Sequence, residues 1–215
     1  MLELNRFYNM DCMDGMKQFS DKHFELAIVD PPYGIGEKIF NGGSSSAFIK
    51  SQSSKMAKWD IAPSSEYFKE LQRVSVNQII WGGNHFVEHL QKFRCFIFWD
   101  KTIHGNSYAD GELAWTSFDR PARCYVENIA ITTLEGRIHP TQKSIRLYKW
   151  LLKNYAKKGD KILDTHVGSA SSLIACEDMG FEYIGFEIDA DYHKAATKRL
   201  NDFKAQVRMP LEGIC

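Results

Sequence analysis

The apolar positions of this chain change period along its length, and the changes mark its elements. Leu26-Ala27-Ile28-Val29, in a run opening at Glu25, is a continuous apolar stretch of strand length, the pattern of a parallel strand buried on both faces. Ahead of it Asp11 leads into Cys12–Phe19, where Met13, Met16 and Phe19 recur at three-residue steps and predict a short helix. A helix candidate between Trp59 and Val76 precedes two short apolar strands, Gln78–Trp81 before Gly82-Gly83 and Cys95–Trp99 before Asp100-Lys101. Glu112–Ser117 and Tyr125–Thr132 read as extended pieces suited to antiparallel pairing. In the last third, Lys143–Lys157 gathers Ile145, Tyr148, Leu151, Leu152 and Tyr155 on one helical face and ends at Gly159-Asp160. Strand Lys161–Asp164, turn Thr165–Gly168, helix Ser171–Met179, strand Glu182–Asp189 and helix Asp191–Val207 follow, a β-α-β unit with helices on either flank. The class is therefore α/β with an open, mostly parallel sheet.

One segment breaks this regularity. From Gly34 through the Ser- and Lys-bearing stretch Lys50–Lys58 the composition cannot build a core, and mobility is expected. The remaining bulk properties narrow the picture. With 215 residues, 44% apolar and 25% charged, the chain suits one α/β domain with room for an insertion. Formal charge is zero, so a nucleic-acid partner would need positive charge gathered locally. The five cysteines are odd in number and widely spaced, which indicates neither a disulfide framework nor a zinc site and favours a reducing, cytoplasmic setting. No metal is implied. The amino terminus lacks a basic-then-apolar signal pattern and no apolar run reaches spanning length, so a soluble protein without a membrane partner is expected.

Chemistry concentrates at the strand ends. Asp30, Asp164 and Glu187 each close a predicted strand, and open parallel sheets bind ligands outside those ends, where the strand order switches. In Asp164-Thr165-His166-Val167-Gly168-Ser169-Ala170-Ser171 an acid is followed by a glycine and a small-residue helix start, whose free N–H groups suit a carboxylate or phosphate. Glu187 stands where a nucleoside ribose is usually held by its hydroxyls. Together these describe a pocket for an adenosine-bearing ligand with an anionic end, although a tight turn and an ordinary strand cap would leave the same trace. G-x-G-x-x-G is missing, which argues against a nicotinamide enzyme.

Asp30-Pro31-Pro32-Tyr33 is the more specific signal, because neither proline can donate to a sheet ladder. An exocyclic amine on a nucleobase is a poor nucleophile, its lone pair being delocalised into the ring. Acceptors that draw its hydrogens out of plane restore the lone pair. Asp30 supplies a carboxylate, Pro31 a carbonyl in a fixed direction, Pro32 a locked turn, and Tyr33 a flat face for a base taken out of its stack. The alternative is a proline-stiffened strand exit with an exposed aromatic.

At this point the motifs carry a resemblance. Asp30-Pro31-Pro32-Tyr33 resembles the catalytic motif of amino-group S-adenosylmethionine-dependent DNA methyltransferases, Asp164–Ser171 their cofactor motif, and His139-Pro140-Thr141-Gln142-Lys143 the segment preceding it in one subgroup. Catalytic motif first and cofactor motif last is the order of the circularly permuted β group. The resemblance covers about Asn5–Gly34 and Arg137–Arg199 well and the centre loosely. It implies a doubly wound, Rossmann-like sheet in a single methyltransferase domain over 1–215. Residues 34–137 would include the mobile loop and target recognition, and 137–207 the cofactor-binding part. It further implies that Asp11, beside Cys12, contacts the adenine amine of S-adenosylmethionine, and that Glu187, beside Ile188, contacts its ribose. Asp164, Gly168 and Ser169 would hold the methionine end. His139, Thr141 and Lys143 would close over it, His139 as a positional hydrogen-bonder and Lys143 as partner of the cofactor carboxylate.

The departures are specific. Thr165-His166 replaces the usual Pro-Phe, Ala170-Ser171 replaces Gly-Thr, and Ser144 stands where a proline follows the lysine. His166 would lie against the cofactor, and its protonation would weaken binding at low pH. Asp at the first catalytic position goes with adenine N6 more often than cytosine N4, so adenine is the expected target and cytosine the alternative. Lys50, Lys55 and Lys58 in the polar loop, and Lys101 after Trp99, are the expected DNA contacts. A protein- or RNA-directed enzyme would carry the cofactor motif first, and an idle DNA- or cofactor-binding module would not need an intact Asp30–Tyr33. The short middle region offers limited recognition surface, a circumstance compatible with a homodimer, and the family implies a restriction–modification setting.

Overall fold

The computed structural model describes residues 2–35, 59–105 and 109–207. Strand β1 (Arg6–Asn9) and helix α1 (Cys12–Met16) lead to β2 (Phe24–Val29), and α2 (Ser65–Val74) runs into β3 (Ser75–Trp81). Next come β4 (Phe96–Asp100), β5 (Gly111–Thr116), β6 (Arg123–Val126), α3 (Ala130–Leu134) and α4 (Ile145–Tyr155). The chain closes with β7 (Lys161–Asp164), α5 (Ser171–Met179), β8 (Glu182–Glu187) and α6 (Ala190–Val207). The polar loop and its Lys50, Lys55 and Lys58 lie outside the described residues.

One eight-stranded sheet runs in the order β1-β8-β7-β2-β3-β5-β4-β6. Its contacts are parallel except where β5 meets β3 and β4, so β5 is the reversed strand. Alternation along β2 explains why its sequence is apolar throughout. Leu26 and Ile28 join a core with α4 and α5, whereas Ala27 and Val29 join a second core with Tyr67, Phe68, Leu71 and Val74 of α2. Helices thus cover both faces, the doubly wound arrangement expected.

Several boundaries differ from the periodicity. The helix expected from Trp59 starts only after Ser64, because Pro63 cannot sit in a helix interior, and Ser75 passes straight into β3. Cys12–Phe19 is helical only to Met16, yet Phe19 stays buried. Tyr125–Thr132 is not one extended piece. The side chain of Asn128 accepts from the Ala130 N–H at 2.9 Å and turns the chain into α3, while β6 pairs parallel with β4 rather than antiparallel. Strand β1 was not anticipated. Its four residues carry no apolar run, and it forms by pairing with β8 at the sheet edge.

Among the described residues no helix is long and apolar enough to cross a membrane, and no group of three or more His, Cys, Asp or Glu is placed to hold a metal ion.

Candidate active site

β7 and β2 are neighbours, and the chain leaves them for β8 on one side and β3 on the other. A crevice therefore opens beyond their carboxyl ends. Asp30 follows β2, Asp164 closes β7 and Glu187 closes β8, so the three strand-end acids stand along one edge of the sheet. Over that edge lies a cleft of about 210 Å³ lined both by Asp30-Pro31-Pro32-Tyr33 and by His166, Gly168 and Ser169. His139, Thr141, Lys143, Glu187 and Ile188 also line it. Asp11, Cys12, Asp164 and Lys101 are not part of its wall.

At the β2 end the side chains hold one another. The Tyr33 hydroxyl donates to Asp30 Oδ1 at 2.8 Å, and Lys143 Nζ donates to Asp30 Oδ2 at 2.5 Å. His85 stacks on Tyr33 with centroids 4.9 Å apart and Phe86 meets it edge-on. Gly82 makes room for the ring. Its φ is +67°, and a Cβ there would stand 2.2 Å from Tyr33 Cε1. Burial pushes the Asp30 carboxyl up, Lys143 pulls it down, and Glu112 pushes it up again.

Lys143 was expected at a cofactor carboxylate, with an exposed surface cation as the alternative. The alternative fails, because its side chain is only 2% exposed and its ammonium lies between Asp30 and Glu112, 2.9 Å from Glu112 Oε2. Lys101, an expected DNA contact, lies 2.6 Å from Glu112 Oε1 and is largely buried. Burial works against the Lys143 ammonium, but the two carboxylates outweigh it and hold its pKa above the ordinary lysine value.

The loop after β7 is shaped from below. Asp164 accepts from the His166 N–H at 3.0 Å and from Ser172 Oγ at 2.5 Å. Its burial moves the carboxyl up to about 7. Gly168 has φ +56°, its N–H donates to Glu187 Oε2 at 3.0 Å, and the His139 ring lies against it. Glu187 Oε1 accepts from the Asp189 N–H at 2.9 Å, and burial raises this carboxyl too. Thr141 Oγ1 sits 3.2 Å from His139 Nδ1, whose ring packs on Tyr192. Ile188 stands on the rim, 66% exposed. Asp11 caps α1, accepting from the Met13 N–H at 2.7 Å, and burial pushes the neighbouring Cys12 thiol up to about 12.

The unusual residues of this loop have local partners. Thr165 Oγ1 is 2.7 Å from the Tyr67 hydroxyl and 2.9 Å from His166 Nδ1. Burial lowers His166 to about 4, so its ring is neutral at pH 7 and any weakening by its protonation is confined to strongly acid conditions. Ala170 takes a left-handed φ of 62° where glycine is usual. Arg199 from α6 donates to the Ser169 carbonyl at 2.8 Å and to Ser171 Oγ at 2.9 Å. Ser144, in place of proline, caps α4 by accepting from the Leu147 N–H at 3.0 Å. The periodicity gave no reason to single out Arg199, His85 or Glu112. The one available signal for Glu112 was an acid inside an apolar strand.

Among the described residues the wall carries Asp30, Asp60, Glu112, Glu187 and Asp189 and the ammonium of Lys143, with Lys101 behind Glu112. In a chain with no net charge, the described wall of this cleft is richer in acids than in cations.

The DNA methylase family model matches residues 77–198, more than half of the chain. The chain belongs to the DNA methylase family. The methylase is 22% identical to the type II methyltransferase M2.MboI of Moraxella bovis, over 96% of this chain and 94% of that one. Its fold matches the M1.HpyAVI–SAM complex with a TM-score of 0.60 at 20% identity, covering 91% of this chain and 98% of the other. The PvuII DNA methyltransferase, described as cytosine-N4-specific, also matches with a TM-score of 0.60, at 12% identity over 94% and 91% of the two chains. These structural likenesses establish the fold of the methylase as Rossmann-like.

Two expectations follow. A carboxyl whose folded-state pKa exceeds its unfolded value favours folding below the unfolded value, and that advantage is lost as pH rises to the folded one. The methylase should therefore lose stability through Asp164 between about pH 4 and about pH 7. Asp164→Asn should be more stable than the parent at pH 8, by about 1–3 kcal/mol in urea denaturation, with the difference gone near pH 4. Gly82→Ala should cost about 1–3 kcal/mol through the left-handed backbone and the clash with Tyr33, measured the same way.

Proposed function

We propose that this methylase transfers a methyl group from S-adenosylmethionine to the exocyclic N6 of adenine in DNA. The observation that carries the reading is the single cleft lined by both Asp30–Tyr33 and Gly168-Ser169. S-adenosylmethionine suits an acid-rich wall, since its sulfonium and amino groups outweigh its one carboxylate and leave it with a net positive charge. A solved relative in fold is described as a complex with this ligand. When bound, it supplies an electrophilic methyl group.

Every other part of the chemistry belongs to this chain. Asp30 and the Pro31 carbonyl accept the hydrogens of the target amine, drawing the nitrogen out of the ring plane and freeing its lone pair for attack. Tyr33 offers a ring face to a base removed from the duplex, while His85 supports the other face. Its hydroxyl fixes Asp30 Oδ1, so the ring and the carboxylate move as a unit. Glu187 receives the ribose hydroxyls, and Gly168, Ser169, His139 and Thr141 enclose the methionine end. His166 and Ile188 flank the adenosine, and Asp11 with Cys12 holds the adenine amine. Asp164 acts beneath the loop as its anchor, and Lys143 serves Asp30.

Asp30 favours adenine. The fold relative described as cytosine-N4-specific keeps N4 of cytosine as the second target. The middle of the chain would supply target recognition, with Lys50, Lys55 and Lys58 contacting phosphates, whereas Lys101 is committed to Glu112. A cytoplasmic, homodimeric enzyme paired with a restriction activity fits this reading.

Incubation with labelled methyl donor and mixed-sequence DNA, followed by nucleoside analysis, should yield N6-methyladenine. N4-methylcytosine would replace the target and leave the clamp. Asp30→Ala should reduce transfer by about a thousandfold or more, since it removes a group acting at the reacting nitrogen, while cofactor affinity stays within about threefold. Glu187→Ala should instead weaken cofactor binding about tenfold or more in calorimetry. Tyr33→Phe keeps the ring and should lose less than Tyr33→Ala in single-turnover transfer assays.

A further inference from the structure

Glu112 is a carboxylate where sheet architecture requires none. β5 is the reversed strand, so its second residue lies at the edge where the parallel strands end, in register with Trp99. Its two oxygens face two ammonium groups, Lys143 Nζ at 2.9 Å and Lys101 Nζ at 2.6 Å. Lys143 in turn touches Asp30 at 2.5 Å. The charges alternate along a row, Asp30, Lys143, Glu112, Lys101. Beneath it lie two fully buried rings, Trp81 with Lys143 at 5.1 Å and Trp99 with Lys101 at 5.3 Å.

Stability does not account for such a row. A buried ion pair costs as much in desolvation as it returns in attraction, and apolar replacements are often neutral or better. Its position does suggest a use, because it ends on the carboxylate that would receive the target amine. A buried Asp30 without a cation would be pushed toward its neutral form, which is a weaker acceptor. An Asp30 paired with an undivided cation would stay ionised but become a weak acceptor, since acceptor strength follows basicity. Dividing the ammonium between two carboxylates gives an intermediate state.

We propose that Glu112 and Lys101 are positioning residues that set the acceptor strength of Asp30: Glu112 shares the Lys143 ammonium, and Lys101 limits how strongly Glu112 does so. The inference rests on the function proposed above. Glu112 is held down to about 2 although burial opposes this, because Lys143 and Lys101 flank it. Among the described residues, the other titratable groups facing Asp30 are Tyr33 beside it, Tyr148 of α4, Tyr67 of α2 and Asp164 at the end of β7. The three tyrosines have pKa values well above the ordinary tyrosine value, led by burial, and stay neutral. A change at Glu112 therefore reaches Asp30 both directly and through Lys143, with the same sign, and a change at Lys101 reaches it with the opposite sign.

The test is the titration of the Asp30 carboxyl carbon, followed by 13C NMR in the full ligand-free chain. Glu112→Gln should lower its midpoint by about half a pH unit or more, and Lys101→Met should raise it. Glu112→Gln should also reduce the plateau rate of methyl transfer about tenfold, with cofactor affinity within about threefold. Opposite shifts support the row, because general loosening would move both variants the same way. Midpoints that stay fixed, or move together, overturn it. Should Glu112→Gln fail to fold, Lys101→Met alone decides by whether the midpoint rises. A protein whose Asp30 shifts as described yet transfers no methyl group overturns the proposed function; transfer with an unmoved Asp30 midpoint overturns only the row.

Discussion

The site depends on the pairing of β2 with β7, in which Leu26 lies against Ile162 and Ala27 against Leu163. These segments come from opposite ends of the chain, and their contact is what sets Asp30 beside the loop after Asp164. Because the two crossovers leave in opposite directions, helices cannot fill the space above the shared edge. The Asp30–Lys143 pair ties the same two regions together through side chains. Without that backbone pairing the two motifs would have no shared edge and the cleft would not form.

The electrostatics of the cleft run against stability. Burial raises the carboxyls of Asp30, Asp164 and Glu187 above their ordinary values, so keeping each ionised in place costs free energy. Such strain persists where the surroundings over-determine it. Here Ser172, the His166 and Gly168 N–H groups and Lys143 do so.

Much of this was legible in the sequence. The apolar run at Leu26–Val29 and the strict order of strand, glycine turn and helix over 161–179 carried the parallel sheet, and strand-end acids plus two prolines carried the position of the site. Boundaries were less legible where one residue decides them, as Pro63 delays α2 and Asn128 ends an extended segment. Glu112 was out of reach for a different reason. Its role follows from the reversal of β5, and direction within a sheet is set by long-range pairing rather than by local pattern. Thr165 and His166 looked like defects in a motif, whereas their partner Tyr67 lies on a helix about a hundred residues earlier, which a linear reading does not connect.

In the proposed reaction, methyl donor and target amine share one crevice beyond the carboxyl ends of β2 and β7. A crystal structure with the demethylated form of the cofactor bound tests this most directly. The sulfur should lie near the Asp30 carboxylate, separated from it by room for about one methyl group and one amine in contact, with the ribose at Glu187. A cofactor bound elsewhere, or one whose sulfur faces away from Asp30 and Tyr33, would contradict the account.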